Sequence, residues 1–587
     1  MSGSSAQLNA LSVRCNRHMP CCNKCLASES ECTYPARQKR KATKPGAKDG
    51  SNVGNQALTN ILERLQRVEQ HCDSLPLVNN LSVAQRALGL NPDPVQSNGI
   101  LLLPGSAIPS EISSPGNLAT PYSDFSLPSL PAPAHIDATA VLHSAMEEVE
   151  KLMLRTYAKC VITDEVRIPK EVAKLWLSNF FDKMLSDLFL SLIDRKLIEM
   201  VPDLLEHPQI HLDAGILVIY YATLWQGGAI TAMMDKNKDL GSQARPAYLG
   251  CLRALPLWQR EATGTYTDLL AAIAISRLAG DCFDYELAWK MHKLACEYAQ
   301  ALDLHNLDDG GGPIGSHHPN ITEENRKGFW GLIQIDAFFR LLFNKPPLLT
   351  GNVWKVNLPW LSSDAVPDTR TLDQMVFIIS SRVALITLQF FSILEEFKDD
   401  PEVLVPKTEA LCMEVVQLFD EWRMPYDQMN IATSAFDAFT VSEAALTAYT
   451  SIIFMLRKMT ALDSTSPIPI LTDEDVRDSP VALIAASQLA KICAWLLSHC
   501  PHSVLLSWTF GMYRAYAPLA YVISHILRAP DVAPFTEEIE AVDKIAMGVW
   551  AISKTEREMV PLANALRYLN EEVQKRVGEM GEKLDEY

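Results

Sequence analysis

From about residue 138 to the C-terminus, apolar residues recur at helical spacing, and the alternation and hairpin turns that mark strands are almost absent. Pro169 lies where a proline suits the first turn of a helix, and Trp176 and Phe180 then fall on one face. The stretches 220–225 and 269–278 are apolar enough to be buried on most sides. The sequence therefore predicts an all-α fold with one large helical body over 138–587.

A dense group of cysteines precedes this body, and no apolar signal core precedes them. Five of the 13 cysteines of the chain fall within 18 residues: Cys15, Cys21, Cys22, Cys25 and Cys32. Thiolates at this density are typical zinc ligands, and zinc can hold together a segment that is too short to build a core. The segment 1–36 is therefore predicted to bind zinc.

The stretch from Cys15 to Tyr34 resembles the second half of the binuclear zinc cluster of fungal transcription factors. That family holds two zinc ions with six cysteines. The matching positions are the Cys-Asn-Arg run from Cys15, then Pro20, Cys22, Cys25-Leu26 and Cys32-Thr33-Tyr34. The resemblance implies zinc as the cofactor, held by Cys15, Cys22, Cys25 and Cys32.

The first half of that cluster has no counterpart in the sequence. Family spacing would put the first two cysteines at Ser5 and Leu8, and the basic run after them is replaced by residues 9–13, with only Arg14 kept. Because two closed tetrahedral sites need all six cysteines, we expect at most one zinc. Its ligands would be Cys22, Cys25, Cys32 and either Cys15 or Cys21. The alternative is a copy that binds no metal stably; a Cys-x-x-Cys and a basic run encoded upstream of the start codon would complete the motif.

Positive charge is concentrated near the N-terminus. Residues 1–50 carry nine Lys/Arg and three Asp/Glu, a net of +6, whereas the whole chain carries −18, so the remaining residues carry −24. A basic head on an acidic body fits a short nucleic-acid-binding segment, and the alternative is a solvated tail. The resemblance implies DNA contacts from Arg14, Arg17 and Lys24. The basic linker 37–54 adds residues for phosphate contact or nuclear import: Arg37, Lys39, Arg40, Lys41 and Lys44.

Residues 55–75 carry a short heptad pattern that predicts a coiled-coil dimerisation helix. The apolar positions are Leu58, Ile61, Leu65, Val68, Cys72 and Leu75. The pattern spans fewer than three heptads, and the alternative is a helix that docks on its own body. The segment 76–137 follows, with ten prolines from Pro76 to Pro133, and is predicted to be a disordered linker rich in Pro and Ser.

Two stretches of the body resemble the all-helical middle homology region of the same fungal factors, and the resemblance extends over about 172–361. The matching residues are Phe283 to Trp289 with Ala295 to His305, and then Phe329-Trp330, Asp336, Phe339-Arg340 and Lys345-Pro346-Pro347. Asp336 and Arg340 are four residues apart, which predicts an architectural ion pair on one helical face. The stretch 348–361 is predicted to be an extended segment that packs across the helices.

These features predict a nuclear transcription regulator of the fungal zinc-cluster type. The resemblance implies that it binds double-stranded DNA as a homodimer at CGG-like triplets, works with the transcription machinery and controls a metabolic or secondary-metabolite gene set. Two alternatives remain open. One is a regulator with impaired DNA binding that acts through a partner, and the other is a helical small-molecule sensor whose zinc remnant is inert.

The sequence does not favour an enzyme. The acidic pairs Asp308-Asp309 and Asp399-Asp400 adjoin glycines or a proline, so neither suits the interior of a helix that holds magnesium. His317-His318 lie in a Gly/Pro/Asn loop, and there is no phosphate-binding Gly-Lys-Ser/Thr loop or nucleophile elbow. We also expect no membrane span, since no run of 18 uncharged apolar residues is evident.

The metal content of the head is testable. If a remnant site forms, purified residues 1–50 should hold about one zinc ion and not two, because four family-matching cysteines are present where six are needed. Elemental analysis measures the stoichiometry, with the double variant Cys22→Ser, Cys25→Ser as the metal-free control. Two zinc ions per segment would contradict this interpretation.

Overall fold

The computed structural model describes residues 136–184, 193–207, 209–234, 244–308, 323–349, 354–359, 372–425, 435–460, 479–499 and 502–585. Throughout these ranges the regular structure is helical and no strand occurs, so the all-α prediction is confirmed for the part of the chain described. These residues belong to one compact unit, Leu118–Tyr587. The predicted head, basic linker and coiled coil, with every proposed metal, DNA and dimer contact, lie outside the described residues.

The helices are numbered here in chain order. They are α1 Ala138–Thr163, α2 Lys170–Lys183, α3 Arg195–Leu204, α4 Ala214–Met234, α5 Arg245–Glu261, α6 Tyr266–Asp281, α7 Tyr285–Ala301, α8 Glu323–Leu342, α9 Leu372–Phe397, α10 Pro401–Glu421, α11 Ala435–Thr460, α12 Pro480–His499, α13 Ser503–Leu506, α14 Tyr516–Arg528, α15 Thr536–Ser553 and α16 Val560–Asp585. The short α13 continues into a π-helix, Ser507–Met512, which we call the π segment.

Several helix starts are fixed by side chains that accept hydrogen bonds from the free N–H groups of the first turn. Thr265 and Asp268 form a capping box at the start of α6. Asp268 is buried and also accepts a hydrogen bond of 2.8 Å from the indole N–H of Trp258, which ties α6 to α5. Asp284 caps the start of α7, where its side chain accepts a hydrogen bond from a backbone N–H of the first turn. Pro169 precedes the first residue of α2, one position before the predicted place.

Helix α4 lies between α2, α5 and α6. It carries no charged residue, and 17 of its 21 residues are buried, as expected of a helix that is apolar on all sides. The burial predicted for 220–225 and 269–278 is therefore confirmed for most of their residues. At Gly227 the backbone of α4 meets that of α2, because a Cβ there would lie 2.1 Å from the carbonyl oxygen of Trp176.

The two ends of the body pack against each other. Helix α1 contacts α5, α14 and α16, while α12 contacts α11, α14 and α15. Helix α9 packs against α8, α10 and α11, and α11 also reaches α4. His143 of α1 and the hydroxyl of Tyr516 at the start of α14 lie 3.2 Å apart, which joins positions 373 residues apart in the chain.

Four helical stretches are long and apolar enough to cross a membrane by length and composition alone. They are Ala214–Met234, Gln374–Phe397, Phe436–Met459 and Pro480–His499. In the most apolar 18 residues of each stretch, 56% to 83% of the residues are buried inside the body. Packing against other helices therefore accounts for much of their apolar character. The expectation of no membrane span was based on the absence of a run of 18 uncharged apolar residues, and these stretches meet the different criterion of length and mean hydropathy. The expectation of no membrane partner stays a prediction.

The segment after α8 packs across the helices as predicted, over the residues described. The indole N–H of Trp330 donates hydrogen bonds to the carbonyl oxygens of Val356 and Asn357, at 3.2 and 3.1 Å. Asp308 accepts two hydrogen bonds from the guanidinium of Arg326 and one of 2.7 Å from the backbone N–H of Asn357. Asp308 therefore holds this segment in place, which is a structural role.

The close approach at Gly227 gives a stability prediction. Gly227→Ala should destabilise the body by about 1–3 kcal/mol or more, because the backbone of Trp176 cannot move aside as a flexible side chain would. The control is Gly578→Ala in α16, where no atom lies within 4 Å of the added Cβ. That change should stabilise by roughly 0.5–1 kcal/mol, because alanine is the better helix former. Urea unfolding measures the free energy of unfolding of both variants. Equal changes in the same direction would contradict the packing argument.

Candidate functional site

A cavity of about 300 Å³ lies between α4, α6, α8, α9, α11 and the π segment. Its volume is at the lower end of the range for pockets that hold small organic molecules. Most of the wall is apolar or aromatic and includes Ile230, Ile335, Phe338, Phe339, Val376, Phe377, Val383, Phe436, Phe439 and Trp508. A largely apolar space of this size is suited to a ligand with an apolar body.

Charged side chains line one part of the cavity. Arg277 and Asp281 lie one turn apart at the end of α6, and Glu443 is contributed by α11. Tyr513, which follows the π segment, donates a hydrogen bond from its hydroxyl to Glu443. We call Arg277, Asp281, Glu443, Trp508 and Tyr513 the polar wall. Among the described residues, α4, α8 and α9 contribute no charged side chain to the cavity lining.

The protonation of Asp281 is shifted by its surroundings. The pKa of this carboxyl is raised from its ordinary 3.8 to about 8. Burial is the largest cause; Arg277 lowers the pKa, Glu443 raises it, and the indole N–H groups of Trp508 and Trp225 lower it. The Trp225 N–H is near the carboxyl but does not meet the distance and angle of a hydrogen bond, so it is the weaker of the two donors. Burial and Glu443 likewise raise the pKa of Tyr513. Asp281 is therefore mostly protonated at neutral pH.

The backbone around the polar wall has unusual geometry. π-helical turns are rare and occur frequently at functional sites. Gly511 of the π segment approaches the ring of Phe283 and the hydroxyl of Tyr285, which lie 2.8 and 2.9 Å from the position of a Cβ. Phe283 and Arg514 have φ angles of 65° and 47°, in the left-handed region that non-glycine residues seldom adopt. Such residues cluster at binding sites, where the surrounding structure holds the strain.

The predicted ion pair between Asp336 and Arg340 does not form. Asp336 is buried and accepts hydrogen bonds of 3.1–3.2 Å from the backbone N–H groups of Leu348 and Leu349. Arg340 instead pairs with Glu395 at 2.7 Å and stacks over a phenylalanine ring. The two residues do share α8, but each finds a partner from another part of the chain. Asp336 and Arg340 therefore both have a structural role, as the sequence analysis predicted.

A buried group of Cys296, His292 and Asp336 has the residue types of a catalytic triad without its geometry. The Cys296 Sγ lies 3.5 Å from His292 Nε2, and Asp336 Oδ1 lies 3.8 Å from the same nitrogen. In a working triad the nucleophile and the acid occupy opposite nitrogens of the imidazole. All three side chains are at most 3% exposed, and burial raises the pKa of Cys296 well above its usual value. We assign this group a role in packing.

None of the predicted site residues is among those described, so the structure brings none of them together. The predicted metal ligands Cys15, Cys22, Cys25 and Cys32, the DNA-contacting Arg14, Arg17 and Lys24, and the heptad residues all precede residue 136. In the described ranges no group of three His, Cys, Asp or Glu is placed to hold a metal ion.

The polar wall was missed by the sequence analysis. Its members come from positions near 280, 440 and 510, and only tertiary packing brings them together. One local signal was present, because Arg277 and Asp281 place two charges at the end of an otherwise apolar helix.

Comparisons of the chain with protein-family profiles, with curated proteins and with solved structures give no match.

The shifted carboxyl predicts a pH dependence. The folded chain keeps a proton on Asp281 that the unfolded chain releases above pH 3.8, so stability should fall as pH rises from about 4 to about 8. Asp281→Asn cannot ionise. Its curve should lose this slope, so Asp281→Asn should become progressively more stable relative to the unaltered protein as pH rises from about 4 to about 8.

Urea unfolding at several pH values measures this difference. Asp399→Asn, at an exposed acid, is the matched control and should keep the slope of the unaltered protein. A slope that is unchanged in Asp281→Asn would show that Asp281 does not cause it and would contradict the raised pKa of this carboxyl.

Proposed function

We propose that this chain is a nuclear transcription regulator of the fungal zinc-cluster type. The observation that carries the proposal is the cysteine run from Cys15 to Tyr34, followed directly by the basic run from Arg37 to Lys44. A zinc ion can fold so short a segment, and the basic run can neutralise phosphates next to it. The acidic remainder of the chain is repelled by DNA, so nucleic-acid contact is confined to the head.

Each predicted residue has a role in this proposal. Cys22, Cys25 and Cys32 hold zinc together with Cys15 or Cys21. Arg14, Arg17 and Lys24 contact the DNA, and the heptad from Leu58 to Leu75 joins two chains so that two heads can reach two half-sites. The all-α body supports the proposal, because the middle homology region of the family is also all-helical.

The cavity favours a second function, in which the body is a small-molecule sensor. The lining comes from α4, α6 and α8 in the earlier half of the body and from α9, α11 and the π segment in the later half. A ligand in this space contacts both halves at once. It can therefore favour one arrangement of these helices over another, which is the requirement for a ligand-driven switch. This function does not depend on whether the head binds DNA.

DNA binding tests the first function. Specific recognition needs side chains on base edges, whereas phosphate contacts only position the protein. The basic run that supplies the base contact in the family is reduced here to Arg14, while the cluster from Arg37 to Lys44 remains. We expect weak binding with strong salt dependence, and a preference for CGG-repeat over scrambled duplexes of less than about a hundredfold, roughly 2.7 kcal/mol.

The assay is competition binding at fixed salt. A variant with a Cys-x-x-Cys and a basic run grafted ahead of Ser12 is the matched comparison, and it should gain the preference. Discrimination beyond a hundredfold by the unaltered chain would show that Arg14, Arg17 and Lys24 suffice. The absence of any salt-dependent binding would contradict the DNA-binding function and leave the sensor function standing.

A further inference from the structure

We propose that the cavity binds an organic amine with an apolar body, whose ammonium group lies against Asp281 and Glu443. This inference rests on the sensor function proposed above and specifies the chemistry of the ligand. It follows from the charges of the polar wall, from its aromatic rings and from the apolar remainder of the cavity.

The charge of the polar wall favours a cation over an anion. Asp281 and Glu443 supply two carboxyl groups, against one guanidinium from Arg277. Arg277 lies close enough to Asp281 to lower the pKa of that carboxyl, so its charge acts within the wall. Asp281 is mostly protonated in the empty cavity at neutral pH. An ammonium group that displaces this proton pairs with the carboxylate so formed, so the charge that ionisation would otherwise leave buried is compensated.

Aromatic rings beside the carboxyl groups add to this preference. The rings of Phe439 and Trp508 pack with their centroids 4.7 Å apart, and those of Phe338 and Tyr513 meet edge to face at 5.7 Å. All four side chains line the cavity. Aromatic faces attract cations within about 6 Å of the ring centroid, and tryptophan does so most strongly. Carboxyl groups and aromatic rings on one wall are the combination that recognises an ammonium group.

The rest of the cavity selects the body of the ligand. Ile230, Val376 and Val383 face the same space, and α4, α8 and α9 add no charge to it. Uncharged polar side chains of the same helices, among them Gln226 and Gln334, also line the space. The larger part of the lining is apolar, so an alkyl or aryl body buries more apolar surface here than a polar body would. The site therefore fits an aryl-alkyl amine better than a small polar amine.

Proton release follows from the same geometry. Asp281 faces Arg277 on its own helix, Glu443 from α11, and Trp508 and Tyr513 from the π segment and the residue after it. Because its pKa is raised to about 8, Asp281 is mostly protonated at pH 7 in the empty cavity. An ammonium group favours the ionised carboxylate, so binding of the amine at pH 7 should release nearly one proton.

The experiment compares three probes of similar shape with the full-length protein: phenylbutylamine, phenylbutanol and phenylbutyrate. Isothermal titration calorimetry at pH 7, in two buffers of different ionisation heat, gives both the affinity and the number of protons released. The amine should bind at least tenfold more tightly than the alcohol and should release nearly one proton. The butyrate should bind more weakly than either.

Three variants locate the effect. Asp281→Asn should lose both the preference for the amine and the proton release, while it still binds the alcohol. Glu414→Gln, at an exposed acid on α10, should change neither. Ala384→Phe, which places a ring in the cavity, should weaken binding of all three probes, because Ala384 is a buried residue of the lining.

The outcomes separate this inference from the function on which it rests. If amine and alcohol bind equally well and Ala384→Phe weakens both, the proposal of an amine ligand is wrong and the sensor function still stands. A preference for the butyrate would overturn it in favour of an anionic ligand at Arg277. If no probe binds, both the inference and the sensor function fail, while DNA binding is measured independently.

Discussion

The packing of helix α4 is the constraint on which the body depends. Its 21 residues carry no charge, so they are stable in water only when other helices cover them on every side. Glycine at 227 lets the backbone of α2 come into direct contact, and α5 and α6 close the remaining faces. Because α6 is fixed in this way, its last turn carries Arg277 and Asp281 to one wall of the cavity. Burial of an apolar helix thus sets the position of a polar site.

The same burial sets the chemistry of that site. A carboxyl group in water keeps its proton only in acid, whereas Asp281 is largely removed from water beside a second acid and holds its proton near neutrality. The π segment brings Trp508 and Tyr513 to the same wall through a close contact at Gly511. The polar wall therefore has both the strained backbone and the shifted protonation that are typical of binding sites.

Helices were predictable from the sequence because their signal is local. Apolar spacing, Pro169 before α2 and the uncharged stretch at 220–225 each depend on residues a few positions apart. The cavity has no such signal, since its lining is gathered from six elements. The predicted ion pair between Asp336 and Arg340 was wrong for the same reason, because the partners of both residues come from other parts of the chain. The rule for residues four apart could not anticipate the N–H groups of Leu348 and Leu349, or Glu395 on another helix.

The contact between α1 and the last helices has a consequence for biosynthesis. Leu142 and Val149 of α1 are fully buried, and α14 and α16 cover much of that helix. The ribosome synthesises α1 several hundred residues before α14 and α16. The side chains that these two helices bury therefore stay exposed to solvent during much of translation. Contacts between positions so distant in the chain also make folding slow. The nascent chain therefore has a long interval in which chaperones can bind it, and the body can close only once its C-terminal helices have been made.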